Sequence, residues 1–185
     1  NNGNGTFSDI GYMTEIYATD WSWSTLLADF DNDGLRDIFI SNGYPKDVTD
    51  LDFVSYSKNA SLFGTDETRR KNVFKAMMDL KGVPKQDFMF HNDGNFQFKN
   101  VADEWGLNAV TYSSGASYAD LDNDGDLDLI INNLNDVANI YENMIDQRES
   151  SDNHFLRVKL AGHAGNPNGL GTRLWVYTGE QVLYA

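Results

Sequence analysis

Apolar residues come in short runs whose spacing changes along the chain. Asp37-Ile-Phe-Ile-Ser and Asp128-Leu-Ile-Ile-Asn are compact apolar runs directly after acidic stretches, and each reads as a buried strand. Two turn signals, Asn2-Gly3-Asn4-Gly5 and Asn92-Asp93-Gly94-Asn95, each lead to a Phe and predict hairpins. Between Glu67 and Leu80 the period changes. Val73, Phe74, Met77, Met78 and Leu80 recur at helical spacing, Thr65 or Asp66 supplies the N-cap, and Gly82 and Pro84 supply the stop. Near the end, Leu156, Val158 and Leu160 alternate with Arg157 and Lys159. A glycine-rich turn follows from Gly162 to Gly171, then a second alternating strand from Arg173 to Tyr177 and a turn at Thr178-Gly179-Glu180. This pattern predicts a β-meander.

The chain repeats itself. At a shift of 91 residues, Phe7 falls on Phe98, Ile10 on Val101, Ala28-Asp29 on Ala119-Asp120, Asp37 on Asp128 and Asn42 on Asn133. That period is too long for one propeller blade. Removing the helical excursion at 51–86 leaves a repeat of roughly 50 residues, the size of a blade. The expected fold is therefore mainly β: propeller-type blades with acidic loops, a helical insertion, and the start of a C-terminal β-domain. The expected division is a first blade at 1–50, the insertion at 51–86, a second blade at 87–145, and a linker with a truncated β-domain at 146–185. Within the last, 143–153 reads as linker. Both ends fall abruptly within the pattern, as in a segment of something longer.

The chemistry sits in the repeated loops, which both read D-x-D-x-D-G-x-x-D. Asp29, Asp31, Asp33 and Asp37 form the first; Asp120, Asp122, Asp124 and Asp128 form the second. Carboxylates this dense repel one another unless a cation sits among them. Oxygen ligands at alternating positions suit Ca²⁺, and the glycine at position six allows the sharp turn. The position-seven carbonyls of Leu35 and Asp126 complete the expected ligand sets of two Ca²⁺ sites. Mg²⁺ suits such a loop less well, because it demands octahedral geometry and keeps its waters. An EF-hand needs a bidentate Glu at position twelve. Ile40 and Ile131 stand there, inside strand-like runs, which also speaks against a calcium sensor.

Ala28–Asp37 and Ala119–Asp128, with the lead-in Phe90-His-Asn-Asp-Gly-Asn-Phe-Gln-Phe, resemble the FG-GAP/VCBS repeats of integrin-α-like β-propellers. Asn153-His-Phe-Leu-Arg-Val-Lys-Leu and Asn168-Gly-Leu-Gly-Thr-Arg-Leu resemble the start of an ASPIC/UnbV domain, a pairing found in the cartilage acidic protein family and its bacterial surface relatives. The resemblance implies Ca²⁺ loops that brace a propeller. It also implies an extracellular, cell-surface or periplasmic address and a non-catalytic role in binding a protein or glycan partner. One departure is Arg36, where the second loop has Leu127; a cation there weakens the first site.

Composition narrows the remaining classes. With 28 Asp+Glu against 14 Lys+Arg, the net charge of −14 disfavours nucleic acid and anionic membranes as partners. No cysteine is present, so disulfides and thiolate chemistry are excluded. His91, His154 and His163 lack metal spacing and read as surface or turn residues. Ser117 runs straight into the second acidic loop, so Gly115–Ala119 is no nucleophile elbow. Gly162–Gly171 lacks the lysine and helix of a phosphate cradle. Arg69, Arg70, Lys71 and Lys75 read as a solvated helix face. Trp21, Trp23, Tyr112 and Tyr118 read mainly as core, with an exposed Trp21 or Trp23 able to stack on a sugar or a partner. Asn4-Gly-Thr6 and Asn59-Ala-Ser61 are formal glycosylation sequons. The alternative function is part of a propeller-based polysaccharide hydrolase or lyase, with Asp87, Asp93, Asp103 and Glu104 as candidates by residue type alone.

Overall fold

A computed structural model describes residues 2–59, 65–145, 155–179 and 181–184. Among the described residues the fold is mainly β, with antiparallel sheets and two helices. β1 (Ser22–Ala28) pairs with β2 (Asp37–Asn42), and the first acidic loop connects them. β2 pairs in turn with β4 (Phe88–Gly94), which pairs with β5 (Gln97–Asn100), giving the order β1-β2-β4-β5. The second sheet is β7-β8-β9, from Ser113–Ala119, Asp128–Asn133 and Asn139–Tyr141, with the second acidic loop between β7 and β8. Short β3 (Lys85–Gln86) and β6 (Val110–Thr111) pair on their own, and β10 (Trp175–Thr178) pairs with β11 (Gln181–Tyr184).

The first sheet crosses the boundary expected at 86/87. It draws β1 and β2 from before the insertion and β4 and β5 from after it. The sequence repeat is out of phase with the sheets: the second copy begins at Phe98 in β5, the last strand of the first sheet, and passes its acidic loop in the second. Removing residues 51–86 therefore reconnects neighbouring strands of one sheet. The insertion holds two helices, α1 (Leu51–Asn59) and α2 (Asp66–Asp79). Thr65 caps α2, its hydroxyl accepting from Thr68 N at 3.3 Å. No residue of either helix is buried.

β1 and β2 lie against β7. Phe39, Ala28 and Met89 from the first sheet, with Phe30 from its acidic loop, meet Leu129 and Ile131 from the second. Val101, Ala102 and Leu107 of the turn after β5 close the core. Alternation in β2 aims Phe39 inward, where it is fully buried.

Two expectations need correction. Asn2–Gly5 makes a turn, with Asn2 N donating to Thr6 O, but residues 6–10 join no strand among the described residues. The second hairpin forms as expected, turning at Asn95 and Phe96, both at positive φ. Residues 155–160 alternate in sequence but pair with no strand among the described residues. The meander reduces to the β10–β11 hairpin. Gly162–Gly171 is a chain of turns, closed by Gly162 N on Pro167 O and Thr172 N on Gly169 O. Most of the expected linker, and Asn153 and His154, lie outside the described residues.

Candidate metal centre

Each acidic loop joins two paired strands, so the strand register fixes its ends: Ala28 faces Asp37, and Ala119 faces Asp128. The ninth residue of each loop turns inward and staples it. Asp37 Oδ2 accepts from Phe30 N at 3.1 Å, and Asp128 Oδ2 accepts from Leu121 N at 2.8 Å. The other oxygens accept from Asn92 N at 3.0 Å and Asn143 N at 2.9 Å. Both carboxylates are almost completely buried. Positive φ at Asn32 and Gly34, and at Asn123 and Gly125, turns the chain back over them.

In the first loop, Asp29 accepts from Asp33 N at 3.1 Å and Gly34 N at 2.9 Å, and Asp33 accepts from Leu35 N at 2.7 Å. Asp29, Asp31 and Asp37 bring carboxylate oxygens within 4.8 Å of one another. Burial pushes the Asp37 carboxyl up to about 6 against the pull of its two amide donors. Burial, and then repulsion from their neighbours, raises Asp29 and Asp33 as well. Ionised carboxylates held this way call for a compensating cation.

The second loop gathers Asp120, Asp122 and Asp124 within the same distance. Asp120 Oδ1 is buried with no hydrogen-bond partner among the described residues, and a cation ligand fits that oxygen. Its Oδ2 pairs with Arg157. The Asp126 side chain is also buried, although the sequence assigned that residue only a backbone role. The first-loop Arg36 points its side chain into solvent, while its carbonyl accepts from Asn92 Nδ2 at 3.0 Å. The residues present therefore suit oxygen-seeking divalent cations in both loops.

Three residues escaped the sequence reading. His91 reaches the first loop, its Nε2 3.0 Å from Asp31 Oδ2, and is half-buried rather than a free surface side chain. Burial alone would lower its pKa, but the Asp31 and Asp37 carboxylates outweigh burial and raise it. Asn92 and Asn143 occupy the same place in their respective sheets. They stand 55 and 15 residues from the aspartates they bind, and only excising the insertion reveals the match. Asn143 also donates through Nδ2 to Phe30 O at 2.6 Å, tying the second sheet to the first loop.

The carboxylates considered for catalysis are dispersed, and each is engaged. Asp87 accepts from Asn42 N and Ser113 Oγ, Asp93 meets His91, Asp103 accepts from Gln86 Nε2, and Glu104 pairs with Lys99. An apolar cavity of about 320 Å³ lies between the sheets beside the first loop, walled by Phe30, Met89, Trp105, Leu127 and Tyr141. No helix among the described residues is long and apolar enough to cross a membrane.

The model of the FG-GAP-like repeat matches residues 1–40 and 80–131. The unmatched stretch between them contains both helices, in keeping with an insertion into the repeat. No curated protein and no solved structure matches the chain.

Proposed function

We propose that this chain, which carries FG-GAP-like repeats over 1–40 and 80–131, is a non-catalytic, Ca²⁺-stabilised binding or scaffold module of a secreted or cell-surface β-propeller protein. Its two loop-bearing sheets are propeller blades, and it engages a protein or glycan partner. The C-terminal residues belong to an ASPIC/UnbV-like domain, as in the cartilage acidic protein family. The observation that carries the reading is the staple built twice, a buried ninth aspartate held by two backbone amides, with a carboxylate cluster in each loop: Asp29, Asp31 and Asp37 in one, Asp120, Asp122 and Asp124 in the other. Hard oxygen ligands on a tight glycine turn suit Ca²⁺. A frame so braced holds loops rigidly for recognition.

A site with Kd near 10 μM in about 1 mM extracellular Ca²⁺ contributes roughly 2.7 kcal/mol, which suits a structural ion outside the cell. Calorimetric titration of the chelator-stripped chain tests this directly. Two calcium sites are expected, one lost in Asp31→Ala and the other in Asp122→Ala, with a melting temperature that falls in EGTA. No calcium heat and an unchanged melt would return both loops to solvated turns.

A further inference from the structure

The two loops share a plan but differ at one position outside them. In the first sheet Ile38 faces Phe90, and in the second the equivalent Leu129 faces Tyr141. The next residue along is therefore His91 in one sheet and Glu142 in the other. His91 Nε2 lies 3.0 Å from Asp31 Oδ2 and 3.8 Å from Asp33 Oδ2, and the ligand atoms of the three residues all lie within 4.8 Å. Ligands of a tetrahedral zinc, each about 2.0–2.2 Å from the metal, stand roughly 3.4 Å from one another. The two nitrogen–oxygen separations bracket that value.

The imidazole is also fixed in place. Its Nδ1 lies 3.0 Å from Asp93 Oδ1, and the Trp105 ring meets it edge-on at 5.9 Å between centroids. A carboxylate on Nδ1 orients the ring as the outer-shell partners of metal-ligating histidines do, so that Nε2 faces Asp31 and Asp33; a metal bound there takes the place of the proton through which Nε2 meets Asp31. Glu142, exposed in the second sheet, offers no such nitrogen.

We propose that the first loop is a mixed-ligand site for a borderline divalent cation of the Zn²⁺ class, held by His91 Nε2, Asp31 and Asp33, with Asp93 orienting the imidazole. Imidazole favours zinc-like over calcium-like cations. This deepens the reading of that loop as a cation site. Because Asp31 and Asp33 serve both, Zn²⁺ and Ca²⁺ exclude one another there, and the second loop selects Ca²⁺ alone.

The test uses the chelator-stripped 185-residue chain, with Co²⁺ as a spectroscopic probe and Zn²⁺ in calorimetry. One Co²⁺ site with visible ligand-field absorption is expected, displaced by one equivalent of Zn²⁺. His91→Gln, checked for folding by circular dichroism, should weaken Zn²⁺ binding at least tenfold while leaving both calcium events; Asp122→Ala should leave Zn²⁺ binding unchanged. Unchanged Zn²⁺ affinity in His91→Gln, or no saturable Zn²⁺ binding by the parent chain, overturns the proposal even if calcium binds. Zinc bound through His91 in a chain that takes no calcium would sustain the proposal and sink the calcium reading instead.

Discussion

Asp87 offers a quantitative test of how the two sheets are joined. Its carboxylate accepts from Asn42 N at 2.7 Å at the end of β2, and from Ser113 Oγ at 2.9 Å at the start of β7. The residue is 6 % exposed, and burial raises its carboxyl from the ordinary 3.8 to about 6, against the pull of both hydrogen bonds. Between those values the folded state holds a proton that the unfolded chain has released. This group's stabilising contribution is therefore complete below pH 3.8 and is lost as the pH rises through 6. At 1.36 kcal/mol for each pH unit, the full swing is about 3 kcal/mol, and solvent screening reduces it to about 2. Asp87→Asn keeps an acceptor for Asn42 N–H and cannot ionise. Urea denaturation in EGTA from pH 4.5 to 8, which spans about two thirds of that swing, should show the variant gaining about 1 kcal/mol on the parent as the pH rises. Parallel profiles for the two proteins would refute the assignment.

Three other substitutions probe the core, the tie between sheets and the backbone. Phe39→Ala empties a fully buried position in β2 and should cost about 3–5 kcal/mol by chemical denaturation. Asn143→Ala leaves its backbone bond to Asp128 but removes the side-chain donor to Phe30 O; a loss of about 1–2 kcal/mol in the same assay is expected. Gly43 sits at φ +102°, where an added Cβ would lie 2.5 Å from Thr111 O, so Gly43→Ala should lower the melting temperature by more than an exposed Gly→Ala change at negative φ.

The features legible in the sequence were those written locally. Asp37 and Asp128, the apolar runs after them and the capped helix from Asp66 each depend on a few consecutive residues, and the family match independently covers the repeat. Long-range pairing was not legible. The run from Leu156 to Leu160 has the alternation of a strand, but alternation specifies a face and supplies no neighbouring edge. The apolar spacing of α2 marks the helix, yet Phe74 and Met78 are exposed among the described residues, since periodicity specifies a face and not what covers it. His91 has no metal-ligand spacing in sequence. Its proximity to Asp31 arises from β2–β4 pairing across an intervening helical segment. Asn92 and Asn143 were hidden by the same insertion.

The insertion enters the sheet through a closed neck. Tyr44 N donates to Val83 O at 3.2 Å and Val83 N to Tyr44 O at 2.9 Å, while neither helix beyond that bridge buries a residue. Strand register is therefore set below the neck and is indifferent to the cargo above it. Since loop-closure cost grows only logarithmically with length, this junction is a natural docking port for grafted sequence: peptides of many lengths can be exchanged there while both acidic loops keep their geometry.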